Sequence, residues 1–309
     1  MGRPRRRPTG TVPAIETAFW VPKQWKSFNF IWTPTVARSL KRDVRNVTAS
    51  SVTRSYFHGS HMLTETEHRV VVDDRRFFAG MALAALSVVF LGFATSYYLW
   101  PITRATHYPA GQPISSSIPL IVHLHAAAFS AWILLLVAQV SLVMTGRVAV
   151  HRRLGGLAAG LIPVMVITGL LTAVRGARDG WNPGGPFPDA LGFMIVGVAD
   201  IAVFTGLAVA GLAWRRRPDV HKRLMLLATL DGLMWPAITR MPIIAGRIVP
   251  MFALLSTLVL ASAVRDFWHG SRNRWVTLVL GLGILATFPL RVAVGTSASW
   301  RELASWLVQ

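Results

Sequence analysis

Cysteine is missing from this chain of 309 residues. Without thiols there is no disulfide, no thiolate-held zinc and no iron–sulfur cluster. Acids are scarce as well: 13 Asp and Glu stand against 32 Lys and Arg, a formal charge of +19. Hydrophobic residues make up 53% of the chain and the mean hydropathy is +0.47. In so apolar a chain a basic excess is first a signal of membrane topology, and no nucleic-acid partner is expected. A glycine-rich phosphate loop and an HExxH motif are absent too, which removes nucleotide-driven and zinc-protease chemistry. The last apolar run holds no lysine, so a retinal Schiff base has no amine there. Tight loops and the lack of an outer disulfide argue against a eukaryotic-type receptor.

What the chain does have is a series of apolar runs of about 20 residues, enough to cross a hydrocarbon core of ~30 Å. They predict an all-α integral membrane protein, a bundle of seven transmembrane helices within residues 62–309. The spans fall at about 77–100, 118–145, 154–174, 190–214, 222–240, 248–264 and 275–295. Arg75, Arg76, Arg147, Arg152, Arg153, Arg215, Arg216, Arg217, Lys222, Arg223, Arg265, Arg272 and Arg274 fall on one side, against Arg104, Arg175, Arg178, Arg240, Arg247 and Arg301 on the other. The richer side should be cytoplasmic, so the N-terminus faces the cytoplasm and the C-terminus lies outside. "SWRELASWLVQ" at 299–309 predicts a short interfacial helix. Ser299 and Glu302 would form its capping box, and Trp300, Leu303, Trp306 and Leu307 would share a face.

Residues 1–61 differ in character. "MGRPRRRPTG" and "ARSLKRDVRNVTASSVTRS" are basic, acid-poor and without periodicity. They predict a disordered segment separable from the membrane domain, with Met62 as the natural start. An organelle presequence is the rival expectation, being Arg-rich in the same way.

Polar groups inside the spans carry the functional argument. In "HLHAAAFSAWILLLVAQ", residues 123–139, His125, Trp132 and Gln139 recur every seven residues. They form one stripe that should face protein rather than lipid. His123 points elsewhere. Asp200, Asp231 and Arg291 lie in other spans at depths where they could meet His125 in one polar cluster. Intramembrane charges of this kind mark function by default. The plainer alternative is that one aspartate neutralises Arg291 and merely fixes helix packing.

A second constellation comes from a repeat, "VHRRLGGLA" from 150 and "VHKRLMLLA" from 220. It sets His151 and His221 at the same depth on two helices. That is the arrangement by which two imidazoles hold the iron of haem b, and Arg153 and Arg223 would then hold the propionates. The alternative is a pair of solvated histidines in a basic rim.

"DDRRFF", "HLHAAAFSAWILLLVAQ", "GRVAVHRRLGG" and "HKRLMLLATL" together resemble a family of bacterial multi-pass membrane proteins, over about 72–309. That resemblance implies the bacterial cytoplasmic membrane and supplies no activity. More distantly, the histidine before an "LG" helix start is similar to the b-type membrane cytochromes. Their haems sit between histidine pairs on alternating helices; His151 and His221 match one pair, and the fourth span has no histidine to complete a second. Three functions follow as expectations: a membrane redox protein, b-type cytochrome-like or quinone-reactive; a proton-coupled transporter or channel; and a structural or assembly protein without a cofactor.

Overall fold

The computed structural model describes residues 56–58, 61–63, 65–109, 111–114, 117–271 and 273–309. The expectation of disorder over 1–61 therefore falls mostly outside the described residues, as does Arg272. Two three-residue strands, β1 (Tyr56–His58) and β2 (His61–Leu63), pair antiparallel. Everything that follows is helix and loop. The helices are α1 (Glu65–Phe93), extended by a π turn over Ala94–Tyr98, then α2 (Trp100–Thr103), α3 (Leu120–Met144) and α4 (Val148–Arg178). They continue with α5 (Ala190–Ala213), α6 (Pro218–Ile238), α7 (Ile248–Trp268), α8 (Arg274–Gly295) and α9 (Ala298–Leu307).

Six of these are long and apolar enough to cross a membrane: α1 with its π turn, α3, α4, α5, α7 and α8. The chain is a multi-pass membrane protein. Leu124, Leu134, Leu157, Ile167 and Val279 stand exposed on its helices, apolar surface suited to lipid contact. The expected count of seven differs by α6. Asp219, Lys222, Arg223 and Asp231 lower its apolarity. Yet α6 is the most enclosed helix: from Arg223 to Ile238 only Met225 and Pro236 escape full burial. A helix wrapped by protein can carry charges that a lipid-facing one cannot, because its neighbours supply the partners.

Short connections make sequential helices antiparallel neighbours. Helices α1, α3, α4, α5 and α6 close a ring in which each packs on the next and α6 packs back on α1. Helices α7 and α8 lie against α6, and α8 also against α5. The links at 145–147, 214–217 and 269–273 share one end, where Arg147, Arg215, Arg216 and Arg217 collect. We call it the basic end, and the opposite one the far end. Mid-ring, Trp132 fills the interior at 2% exposure. Its indole donates to Thr229 Oγ1 at 3.0 Å and sits edge-on to Phe204, ring centroids 4.8 Å apart.

Two glycine contacts set helix spacing. A Cβ on Gly92 would lie 2.2 Å from the carbonyl oxygen of Ala237, so α1 and α6 touch backbone to backbone. One on Gly295 would lie 2.5 Å from the Gly192 carbonyl oxygen, which brings α8 against α5 near the far end. Helix α5 starts after the "NPGGPFPD" loop, whose prolines cannot extend a helix backwards. Asp189 caps it, accepting from Gly192 N–H at 2.9 Å, and pairs with Arg301 at 2.5 Å. The Gly192 amide, and then the Arg301 guanidinium, hold the Asp189 carboxyl below the usual carboxylate range.

The closing helix departs from its expected cap. Ser297, not Ser299, accepts from the Trp300 amide, at 3.3 Å, so α9 begins two residues early. The apolar face divides as well. Trp300 and Ala304 dock on the bundle, with the Trp300 indole donating to the Leu191 carbonyl at 2.9 Å. Leu303, Trp306 and Leu307 remain exposed, a stripe placed for the membrane interface.

Candidate functional site

Helices α5, α6 and α8 bring Asp200, Asp231 and Arg291 together. The Gly192–Gly295 contact fixes where α5 and α8 meet, and Arg291 sits one turn from Gly295 on α8. Helical side chains lean toward the helix N-terminus, which carries the Arg291 guanidinium deeper into the bundle. There it donates through Nη1 to Asp200 Oδ1 and through Nη2 to Asp231 Oδ1, the latter at 3.2 Å. Asp200 and Asp231 are each 3% exposed and Arg291 6%. Asp200 Oδ2, Asp231 Oδ2 and Arg291 Nε have no hydrogen-bond partner among the described residues. Two carboxylates thus share one guanidinium. The triad carries one net negative charge, or it holds one proton.

A second buried ion pair in the same molecule is built differently. Near the basic end Arg223 grips Asp266 in two-point fashion, Nε to Oδ2 at 2.6 Å and Nη2 to Oδ1 at 2.7 Å. Thr277 adds a bond to Asp266 Oδ2, Ser271 accepts from Arg223, and Arg223 Nη1 reaches the Asp219 carbonyl. Lys222 and Arg265 extend the network to Asp74, and Lys222 also pairs with Asp219. Three cations there meet three carboxylates: Lys222, Arg223 and Arg265 with Asp74, Asp219 and Asp266. Asp266 was not among the sequence candidates. Beside Arg265 it reads as an ordinary rim charge, and only the fold turns it inward.

The other candidates fall at the two ends of the helix ring. At the basic end, His151 and His221 each occupy the fourth position of their helix, α4 and α6. Their rings face one another edge to face, centroids 6.3 Å apart. Helices α4 and α6 both pack on α5. The His221 Nδ1–H donates to the Gly211 carbonyl at 2.8 Å, leaving Nε2 with its lone pair. That is how proteins commonly orient a metal-binding imidazole. His151 Nδ1 and Gln139 Oε1 are buried without hydrogen-bond partners among the described residues. Arg223, expected near this pair, is committed to Asp266, while Arg153 is exposed.

At the far end, His125 packs against Phe129 with centroids 4.1 Å apart and ring planes tilted by 35°, and its Nδ1 is buried without a partner among the described residues. It makes no hydrogen bond to Asp200, Asp231 or Arg291. The stripe His125, Trp132, Gln139 does turn inward, but its members touch different things along the ring, and the triad forms on the side where α8 packs. His123 is exposed and meets the Tyr97 hydroxyl at 3.0 Å. Comparisons with protein-family models, with curated proteins and with solved structures return no match.

Proposed function

We propose that this chain is a proton-coupled membrane transporter or channel, with Asp200, Asp231 and Arg291 as its proton-binding element. One observation carries the proposal: the contrast between the two buried ion pairs. Where the protein needs only to hold helices together, at Arg223–Asp266, charges balance and the carboxylate oxygens are bonded. Where it joins α5, α6 and α8, it buries a second carboxylate and leaves an oxygen of each unbonded. A surplus buried carboxylate is costly when ionised, and a proton that enters and leaves is the ordinary way to relieve it. Trp235 and Phe288 line a cleft at the far end together with Phe193 and Thr239. They share helix faces with Asp231 and Arg291, so the cleft opens on the same side of α6 and α8 as the triad.

In this proposal α6 is the seventh span. Its 21 residues reach about 31 Å at 1.5 Å per residue, and its charges are sheltered by the ring. The membrane is the bacterial cytoplasmic membrane, with the basic end inside. A reporter fused after residue 150 or 220 should then read cytoplasmic and one at 182 external; the reverse pattern would overturn the orientation. The proton site is tested by infrared difference spectroscopy across a pH step. A protonated-carboxyl band should appear and vanish with pH in the wild type and be lost in Asp231→Asn. A spectrum whose embedded carboxyls ignore pH would leave the triad a structural device.

A second proposal rests on the facing histidines: a membrane redox protein, b-type cytochrome-like, with quinone as its electron partner. Its support is the meeting of two histidine rings from different helices at one end of the bundle, centroids 6.3 Å apart, with the His221 Nδ1–H held by the Gly211 carbonyl. A haem b there would supply one-electron transfer, with Arg153 the residue left to hold a propionate. Protein purified with haem supplied during expression should show a Soret band that His221→Ala removes. A colourless protein would sink this second proposal and leave the first intact.

A further inference from the structure

Arg240 lies two residues past the end of α6 at the far end, partly exposed and in surroundings unlike those of the two buried arginines. Arg223 and Arg291 are matched by carboxylates. Arg240 has no carboxylate partner among the described residues. The nearby acids are spent elsewhere, Asp179 on Arg175 and Asp189 on Arg301. Around Arg240 stands an aromatic collar instead: its guanidinium carbon lies 4.5 Å from the Trp181 ring centroid, 5.1 Å from Phe93 and 5.7 Å from Tyr108. Among the described residues its guanidinium makes one hydrogen bond, from Nη1 to the Pro236 carbonyl at 2.8 Å. Cation–π contact offsets only part of the cost of enclosing a charge that no counter-ion balances.

The collar comes from three separate pieces of chain: the end of α1, the 104–119 loop and the 178–189 loop. Gln112 ties the two loops together by donating to the Asn182 carbonyl at 2.7 Å. Three polar atoms in the same region are buried and lack partners among the described residues: Trp181 Nε1, His125 Nδ1 and Gln112 Oε1. The three rings lie within cation–π range, and the guanidinium N–H groups other than the one bonded to Pro236 have no partner among the described residues; such an edge can grip two oxygens at once.

We infer that Arg240 and its collar form a binding site for an oxyanion, a carboxylate or a phosphate. The anion supplies the missing counter-charge and accepts from the guanidinium fork, with the Trp181 indole N–H as a further donor. The chemistry is the same whether the oxyanion is a free solute or the headgroup phosphate of an anionic lipid at the interface. The site stands apart from the triad and does not depend on proton coupling.

Protection of Arg240 from an arginine-directed dicarbonyl reagent, read by mass spectrometry on the full-length protein, tests this without any variant. In neutral detergent, acetate, benzoate or phosphate should slow modification of Arg240 saturably, against chloride at equal ionic strength, and leave exposed Arg104 unaffected. In nanodiscs, phosphatidylglycerol replacing phosphatidylcholine should protect Arg240 if the lipid is the source. Protection by free anions alone assigns a solute; protection by phosphatidylglycerol alone assigns a headgroup; either supports the site. No protection in either arm overturns it. As a second measurement, Arg240→Gln should lose the anion-dependent rise in unfolding temperature that Arg104→Gln keeps.

Discussion

Arg291→Met should cost about 3–5 kcal/mol of stability, the usual penalty for stripping a buried ion pair of one partner. The variant leaves Asp200 and Asp231 facing each other with no cation between them, and most of the protein should fail to reach the folded state. Asp231→Asn should behave otherwise. It converts a two-to-one cluster into a balanced Arg291–Asp200 pair and gives up one long hydrogen bond, worth about 0.5–1.5 kcal/mol. Its fold should survive while its pH-dependent carboxyl signal disappears. Asp266→Asn is the contrasting case: there the charges are already balanced, so removing the carboxylate strands Arg223 and should destabilise by about as much as Arg291→Met. Unfolding titrations in detergent on the three variants settle the order. If Asp231→Asn proves as damaging as Asp266→Asn, the two ion pairs serve the same structural purpose and the proton proposal fails.

The triad shows what could be read from the sequence and what could not. Asp200, Asp231 and Arg291 stand out because each interrupts an apolar run, and their depths followed from counting residues along the spans. No hydrogen bond joins His125 to them, and depth along a helix says nothing about which side of the bundle a residue faces. Helix α8 packs on α5 and α6 outside the ring, so Arg291 approaches from there, while His125 lies on α3 against Phe129. The count of spans differed for a related reason. A hydropathy window reads α6 as if lipid surrounded it, whereas its charges are answered by Asp74, Asp266 and Arg291 on other helices. Arg240 was visible only as a charge at a span edge; its collar is assembled from residues more than 50 positions away in the chain and left no local signal. The histidine pair was the easier case. The repeat puts both residues at one offset from a helix start, and equal offsets on parallel helices give equal depth.

Gly295→Val should be strongly disruptive although it alters no charge. A Cβ at 295 would lie 2.5 Å from the Gly192 carbonyl oxygen and 2.8 Å from both Ile195 Cγ2 and Phe187 Cε1. The nearest of these atoms is backbone and has no rotamer to retreat into. Overpacking of a close-packed site costs about 1–3 kcal/mol, and relief here requires α8 to move off α5. That motion draws Arg291, one turn away, from Asp200, so stability and the pH-dependent carboxyl band should be lost together. Gly283 on the same helix supplies the comparison: a Cβ there meets nothing within 4 Å. Gly283→Ala should therefore gain the roughly 0.5–1 kcal/mol that alanine holds over glycine in a helix, with the carboxyl signal untouched. Melting curves for Gly295→Ala, Gly295→Val and Gly283→Ala should rank in that sense, valine lowest and the 283 variant at or above wild type. Equal melting of the two alanine variants would mean that α5 and α8 do not meet at backbone contact, and the positioning of Arg291 over Asp200 would need another cause.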